Sequence, residues 1–316
     1  MKNITVLSVL VIMLLFSAAD TANCEEAAGK EKNYSFSFGP AAGFLYGRSF
    51  EYVYPTIEPA ELYSELIWDI KPVFYLGGQF DFETAIFKNG IGFFASLGFK
   101  AGFPAESGYM EDRDWTSAYS PHLTNYSKST NYTNELYFID FSAGVSIPIK
   151  KSFYLKPMLA FSWMHFSFEG KNGYKTYESD NWEEIPLYGT LITYKQDWLL
   201  CGPGIAIGAY FGSFFHLEFS FKYTPFTYCA AVDHHFKTFT IYMDYSSWGH
   251  YFEPALNAAF YFSIIELSLE VSYRGITKTK GRSYANFNNT GYYLSPNEAG
   301  AALSLLDTRL TVKVKF

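Results

Sequence analysis

The chain ends in the stretch Arg309-Leu310-Thr311-Val312-Lys313-Val314-Lys315-Phe316, in which polar and apolar residues alternate. Successive side chains of a strand point to opposite faces, so the leucine, the two valines and the terminal phenylalanine share one face. The threonine and the two following lysines share the other face. An apolar strand that ends in a carboxy-terminal phenylalanine is typical of outer-membrane barrels, which present an apolar face to lipid and a polar face to the lumen. The stretch therefore predicts a barrel strand.

The segment from Glu266 to Tyr273 alternates in the same way, with leucines and a valine on one face and two glutamates on the other. In a soluble sandwich the glutamates would face water and the leucines a core. In a membrane barrel the leucines would face lipid and the glutamates a polar lumen. The terminal phenylalanine and the start of the chain favour the barrel.

The first residues predict an exported protein. Lys2 is followed by an apolar run from Ile4 to Phe16 and then by small residues, which is the pattern of a secretory signal peptide. We expect cleavage after Ala19, with sites as late as residues 22–24 left open, so that residues 20–316 form one mature domain. After the signal peptide, no apolar run approaches the about 18 residues that a membrane helix needs.

The composition limits the partners and cofactors. A net charge of −7 argues against a nucleic-acid partner. The 32 phenylalanines and 27 tyrosines suit a barrel with aromatic girdles as well as a large sandwich core. Three cysteines, an odd number, argue against a disulfide framework, and lipidation of Cys24 stays open. His234 and His235 are adjacent, but no third histidine or cysteine has the spacing of a zinc site, so we expect no metal and no cofactor.

Short turn signals alternate with long polar stretches, which is the outer-membrane barrel pattern. The fold class that this predicts is an all-β, ten-stranded antiparallel transmembrane β-barrel. Several strands exceed the about 9–11 residues needed to span a bilayer, so the barrel should extend above the outer membrane. The long polar stretches, about 104–133, 171–189, 232–250 and 281–299, are expected to be loops. The predicted strands are roughly 34–54, 61–86, 91–103, 134–147, 153–170, 190–211, 214–231, 251–262, 266–280 and 300–316.

Two short clusters carry candidate chemistry, one after the third predicted strand and one after the seventh. Asp112 and Asp114 are two residues apart, and so are Asp233 and His235. Residues i and i+2 of a strand point to the same face, so each pair can project into one cavity if its segment is a strand end. Three carboxylates and an imidazole that converge in this way can activate a water molecule. A cleft between the two walls could hold an extended peptide.

An acidic-x-Asp-Trp sequence after the third strand, with Asp-x-His after the seventh, resembles the omptin family of outer-membrane proteases. The likeness covers nearly all of the mature chain. Its other elements are Gly39 and Gly43 leading to Glu51-Tyr52-Val53-Tyr54, Leu66-Ile67-Trp68, Tyr194-Lys195-Gln196, Thr277-Lys278-Thr279-Lys280-Gly281 and Asn288-Asn289-Thr290.

The resemblance implies a role for each candidate residue. Asp233 would orient His235, which would act as general base on a water molecule. Asp112 and Asp114 would bind and polarise that water, and as neighbouring carboxylates they can share a proton. Family members cleave near basic residues, and Glu51 matches one of the acidic positions that bind the basic side chain. The implied partners are peptide or protein substrates and outer-membrane lipid, with the active site facing outside.

The sequence departs from the family at two places. The second acidic specificity position falls at Ala231, so selectivity for basic residues is expected to be weaker or shifted. The family binds lipopolysaccharide through charged side chains of the outer wall, and the matching positions here are Phe161, Trp163, His165 and Asp197. We therefore expect no lipopolysaccharide site at these positions, and whether another lipid is needed stays open.

Less specific interpretations remain. Asp-x-Asp alone is more often a solvated loop, and Glu51 could belong to a hydrogen-bond network of the lumen. The competing function is a catalytically inactive omptin-like barrel that acts as a surface adhesin or receptor. A porin is disfavoured, because ten strands leave a narrow lumen that side chains fill.

Overall fold

The computed structural model describes residues 34–55, 61–85, 90–116, 122–150, 152–288 and 290–316. The predicted signal peptide and Cys24 lie outside these residues. The described part is almost entirely strand, with one short 3-10 turn at Glu178–Asp180. The strands are β1 (Tyr34–Tyr54), β2 (Ser64–Ala85), β3 (Gly92–Gly102), β4 (Ala105–Asp114), β5 (Asn125–Lys150), β6 (Phe153–Tyr177), β7 (Ile185–Phe211), β8 (Phe215–Thr224), β9 (Thr227–His235), β10 (Thr240–Ser247), β11 (Tyr251–Phe262), β12 (Ile265–Ile276), β13 (Lys280–Phe287) and β14 (Tyr293–Lys315).

These strands build one closed antiparallel sheet. Near the described termini the order is β1-β2-β3-β5-β6-β7-β8-β11-β12-β14, and β14 pairs with β1 to complete a ring of ten. Towards the opposite end, β4, β9, β10 and β13 take the places of β3, β8, β11 and β12. The ten-stranded antiparallel barrel predicted from the sequence is therefore confirmed. We call the end with the described termini the lower end and the opposite one the upper end.

The upper strands correct one prediction. The stretches 104–133, 171–189, 232–250 and 281–299 were expected to be loops, yet β4, β10, β13 and the ends of β5, β6, β7, β9 and β14 occupy most of them. Strands that stand in water around a polar cleft need no apolar face, so they lack the alternation that identifies a strand next to lipid. The third, seventh and ninth predicted strands thus continue past residues 103, 231 and 280, and the eighth starts before residue 251.

The outer surface divides the barrel into two zones. Outward-facing side chains of the lower strands are large, apolar and exposed, among them Leu97, Phe99, Phe141, Ile207, Leu269 and Leu310. The upper wall instead carries ion pairs, with Arg113 bonded to Glu111 at 2.7 Å and lying 3.5 Å from Glu65. An apolar band with a charged wall above it is the surface of a barrel that spans a membrane and extends beyond it. Among the described residues, no helix is long and apolar enough to cross a membrane.

The lower lumen is filled by paired charges. The buried Arg274 guanidinium donates to Asp140 at 2.7 Å and lies 3.1 Å from Glu253, and Lys222 donates to Glu253 at 2.8 Å. Lys100 pairs with Asp307 beside them. Each of these buried carboxylates has a cationic partner from the chain itself, which offsets the cost of removing it from water.

An aromatic layer lies above this network. Trp68 stacks between Phe168 and Tyr194, with ring centroids 5.6 Å apart in each case. All three rings are buried in the main apolar cluster of the lumen. Since large rings fill the narrow barrel here, they form a floor beneath the upper cleft, and we call them the aromatic floor.

Removal of Arg274 tests the charge network. Arg274→Met leaves Asp140 and Glu253 without their main cation, so the free energy of unfolding should fall by about 3–5 kcal/mol. The measurement is the urea midpoint at which the heat-modifiable gel band of the detergent-folded barrel is lost. Lys315→Met, at an exposed lower position, is the control and should not shift the midpoint. Equal midpoints for Arg274→Met and the unaltered protein would contradict the account.

Candidate active site

The four catalytic candidates lie at the upper ends of two strands. Asp112 and Asp114 are among the last three residues of β4. Asp233 and His235 are among the last three residues of β9. Both pairs were expected in loops just after a strand, and both are within the strands. In each pair the two side chains share a strand face, because the residues are two apart.

The β9 pair is held together directly. The His235 Nε2 atom hydrogen-bonds to the Asp233 Oδ2 atom, and Asp233 is only 1% exposed. The Tyr242 ring, which belongs to the residue opposite Asp233 on β10, meets the His235 ring edge-on at 5.6 Å. His234 points away from this pair and stacks on Phe236 at 4.1 Å. The imidazole of His235 is therefore fixed in orientation by one carboxylate and one aromatic ring.

The β4 pair is held by neutral polar groups. The Ser64 hydroxyl donates to Asp112 at 3.3 Å, and the Asn125 amide donates to Asp114 at 3.4 Å. Ser64 and Asn125 flank Asp114 in register on β2 and β5. Neither carboxylate has a lysine or arginine partner among the described residues, so the pair faces the cleft with its charge uncompensated from its own wall.

The charges of the two walls act on one another. Burial, and then the neighbouring Asp114 carboxylate, raise the pKa of Asp112 to about 7, while the His235 charge lowers it. Burial lowers the pKa of His235, but Asp233, and beyond it Asp112 and Asp114, outweigh this and raise that pKa to about 9. Burial also raises the pKa of Asp114. The structure thus brings all four side chains to one cleft, where their charges act on one another.

Glu51 lies in the same cleft, next to the aromatic floor. It is on β1, opposite Leu66 of β2, and is 3% exposed. Its Oε2 atom is buried without a hydrogen-bond partner among the described residues. Burial, and then the charges of Asp233, Asp244 and Asp112, raise its pKa, while Trp68 acts in the opposite direction. A buried carboxylate in this position can accept hydrogen bonds from a cationic ligand.

Comparison with known proteins gives the family. A sequence profile of the omptin family matches residues 32–316. The chain belongs to the omptin family. A search of curated proteins gave no match.

One solved structure has the same fold, and others match weakly. The barrel is similar to the outer membrane protease OmpT from Escherichia coli, with 19% identity, a TM-score of 0.81, and coverage of 92% of this chain and 99% of that one. The transport unit of the autotransporter AIDA-I from Escherichia coli matches at 9% identity and a TM-score of 0.37, over 97% of this chain and 98% of that one. The toluene transporter TodX from P. putida matches at 10% identity and a TM-score of 0.34, over 91% of each chain.

The two departures from the omptin pattern have defined places. Ala231 is buried on β9, facing Gln196 of β7 and Asp244 of β10. The positions matched to the family's lipopolysaccharide site lie on the outer wall, where His165 sits between Asp197 at 2.9 Å and Glu135 at 3.1 Å.

Several cleft residues escaped the sequence analysis. Tyr242 and Asp244 belong to β10, which was expected to be a loop, although Thr240, Tyr242, Asp244 and Ser246 alternate there with outward-facing residues. Ser64 and Asn125 gave no signal, since isolated serines and asparagines abound in turns. Within the described residues, no group of three or more histidines, cysteines or acids is arranged to hold a metal ion.

The protonation of His235 can be measured directly. Its ring should titrate near pH 9, above the ordinary value of 6.5, and Asp233→Asn should lower the midpoint because it removes the largest charge that raises it. NMR of carbon-13-labelled histidine in the detergent-folded barrel gives the midpoint, and His235→Ala assigns the signal. Asp180→Asn, in the exposed turn, should leave it unchanged. A His235 midpoint at or below the ordinary value in the unaltered protein would refute this description.

Proposed function

We propose that the protein is an outer-membrane endopeptidase that hydrolyses peptide bonds near basic residues, with its active site facing outside. Membership of the omptin family supports a protease in the outer membrane. The observation that carries the proposal is the placement of the Asp112–Asp114 pair and the Asp233–His235 pair in one cleft above the apolar band. Strand ends on both sides make this cleft suitable for an extended peptide.

The chemistry starts with a water molecule between the two walls. Neutral His235 removes a proton from the water with the ring nitrogen that is not bonded to Asp233, while the oxygen attacks the scissile carbonyl carbon. Asp233 holds the ring and stabilises the imidazolium that forms. This division of roles follows from burial, because Asp233 is almost inaccessible and His235 reaches the cleft.

The Asp112–Asp114 pair serves the other half of the reaction. Because the pKa of Asp112 is raised to about 7 and that of Asp114 is raised as well, the two carboxylates can hold a shared proton near neutral pH. The ionised oxygen orients the attacking water, and the shared proton hydrogen-bonds the oxyanion of the tetrahedral intermediate. When the carbon–nitrogen bond breaks, the His235 imidazolium returns its proton to the leaving amine. Protons and charge are thus restored without a metal.

Glu51 accounts for the preference for basic residues. It is buried beside Trp68 of the aromatic floor, and one of its oxygens has no hydrogen-bond donor within the described residues. A lysine or arginine side chain of the substrate would supply the missing donors and the opposite charge. Binding of that side chain would fix the scissile bond at the height of the catalytic pairs.

One observation favours a second function, that of an adhesin or receptor. Ala231 replaces one of the two acids expected in the specificity pocket, as in a barrel that kept the fold and became an adhesin or receptor. Peptide cleavage decides between the two, because an inactive barrel would bind surfaces without hydrolysing peptides.

Adjacent histidines offer a matched test of the catalytic role. His235→Ala should lower kcat/KM for a fluorogenic dibasic peptide by about 10²–10⁴-fold, the usual contribution of a general base. His234→Ala removes the same side chain from the other face of β9 and should cleave normally. Heat-modifiable migration shows that each variant is folded. Unchanged cleavage by folded His235→Ala would remove the residue from the mechanism.

The pH profile follows from the raised pKa of His235. The base must be unprotonated, which favours higher pH up to about 9, whereas the shared proton of the Asp112–Asp114 pair is lost above about 7, so kcat/KM should rise from neutrality to a maximum between these two values and then fall. Asp233→Asn lowers the pKa of His235, so the residual activity of this variant should rise at lower pH. Initial rates across the pH range at constant ionic strength check both curves. A rate that falls as pH increases from neutrality would contradict the assignment of His235 as base.

A further inference from the structure

Asp244 is a buried acid that the mechanism above does not use. It is on β10, is 7% exposed, and shares its strand face with Tyr242, which contacts His235. The antiparallel register places it directly opposite Ala231 of β9. Residues opposite each other have their Cβ atoms about 4.5–5.5 Å apart and point to the same side of the sheet. Asp244 therefore projects into the cleft beside Ala231.

Three carboxylate oxygens of this region lack a hydrogen-bond donor among the described residues. Glu51 Oε2, Asp244 Oδ1 and Asp233 Oδ1 are all buried without a hydrogen-bond partner among the described residues. All three residues are more than nine-tenths buried. Buried acceptors are normally satisfied, and leaving them unsatisfied is costly, so a group of three in one cleft indicates a missing donor.

In the part of the chain that the structure describes, two of these three acids lack a cationic partner as well as a hydrogen-bond donor for one oxygen. In the lower lumen, acids such as Asp140, Glu253 and Asp307 have a lysine or arginine partner. Within the described residues, neither Glu51 nor Asp244 forms an ion pair with a lysine or arginine. The charge of Asp244 acts on Glu51, and the charge of Asp233 acts on both. A positively charged group from outside the chain would balance them.

We propose that Asp244 supplies, from β10, the second carboxylate of the pocket that binds the basic side chain of the substrate, together with Glu51. The proposal rests on the proposed endopeptidase function. Ala231 leaves space for the Asp244 carboxylate at the point where the family pattern has an acid on β9. The two-acid pocket is then preserved, with one acid moved across a pair of hydrogen-bonded strands.

The register explains why only one of the two positions carries an acid. Two carboxylates directly opposite each other on one face repel, and burial would strengthen that repulsion. An aspartate at position 231 would stand next to Asp244 in this way. Alanine at 231 and aspartate at 244 thus form a compatible pair, and the selectivity for basic residues is retained instead of weakened.

The test compares two peptides that differ only in charge. One carries arginine next to the scissile bond and the other carries citrulline, its neutral analogue of similar shape. The quantity measured is the ratio of kcat/KM for arginine over citrulline in the detergent-folded barrel. Asp244→Asn should lower this ratio by about tenfold or more, as expected for the loss of a charge-assisted contact, and Glu51→Gln should do the same. Asp180→Asn, in the exposed turn, is the control and should keep the ratio.

A relocation variant separates charge from structure. In Asp244→Ser combined with Ala231→Asp, the acid returns to β9, and the ratio should recover towards that of the unaltered protein. A ratio that stays unchanged in Asp244→Asn, or equal losses for both peptides, would overturn the proposal. If Asp244→Asn fails to fold by heat-modifiable migration, the relocation variant decides, and a ratio near one there refutes the pocket. Folded unaltered protein that cleaves neither peptide would overturn the endopeptidase function itself.

Discussion

Backbone hydrogen bonding in lipid is the constraint on which the rest of the structure depends. A bilayer offers no partners for peptide groups, so a sheet that crosses it must close on itself. Here β1 and β14 make the closure, paired from Ser37↔Lys315 near the lower end to Tyr54↔Glu298 near the upper end. The same pairings continue above the apolar band, so the closed sheet also sets the walls of the cleft. The facing positions of β4 and β9 are a consequence of a ring that lipid requires.

Charge divides the interior into a stabilising part and a reactive part. Below the aromatic floor, carboxylates such as Asp140 are neutralised by cations such as Arg274 from the chain. Above the floor, acids are gathered with one imidazole, and several of their oxygens lack donors in the part of the chain that the structure describes. Burial and mutual repulsion raise the pKa of Asp112, whereas the surrounding carboxylates raise the pKa of His235. The protonation of each of these groups therefore depends on the charges of both walls.

The sequence predicted the strands where lipid imposes a pattern. β1 was predicted with its observed bounds, 34–54, and the terminal alternation identified β14, because one face there must be apolar. The upper segments were missed, since their many polar and charged residues resemble those of loops. Asp112 and His235 were found from their i, i+2 partners and from the family resemblance. Asp244 could not be found in that way, because its importance depends on the register of two strands, which no local pattern contains.

The central claim is that Asp112 and His235 face each other across the cleft, and cross-linking tests it most directly. Cysteines replace these two residues in a chain whose Cys24, Cys201 and Cys229 are changed to serine, and a short bifunctional maleimide is added to the folded barrel. The control pair combines cysteine at 112 with cysteine at 234, on the other face of β9. The account predicts an intramolecular cross-link, seen by mass spectrometry, for the 112–235 pair in the folded barrel and not for the control pair. Folded protein in which the 112–235 pair fails to cross-link, or cross-links no better than the control, would contradict it.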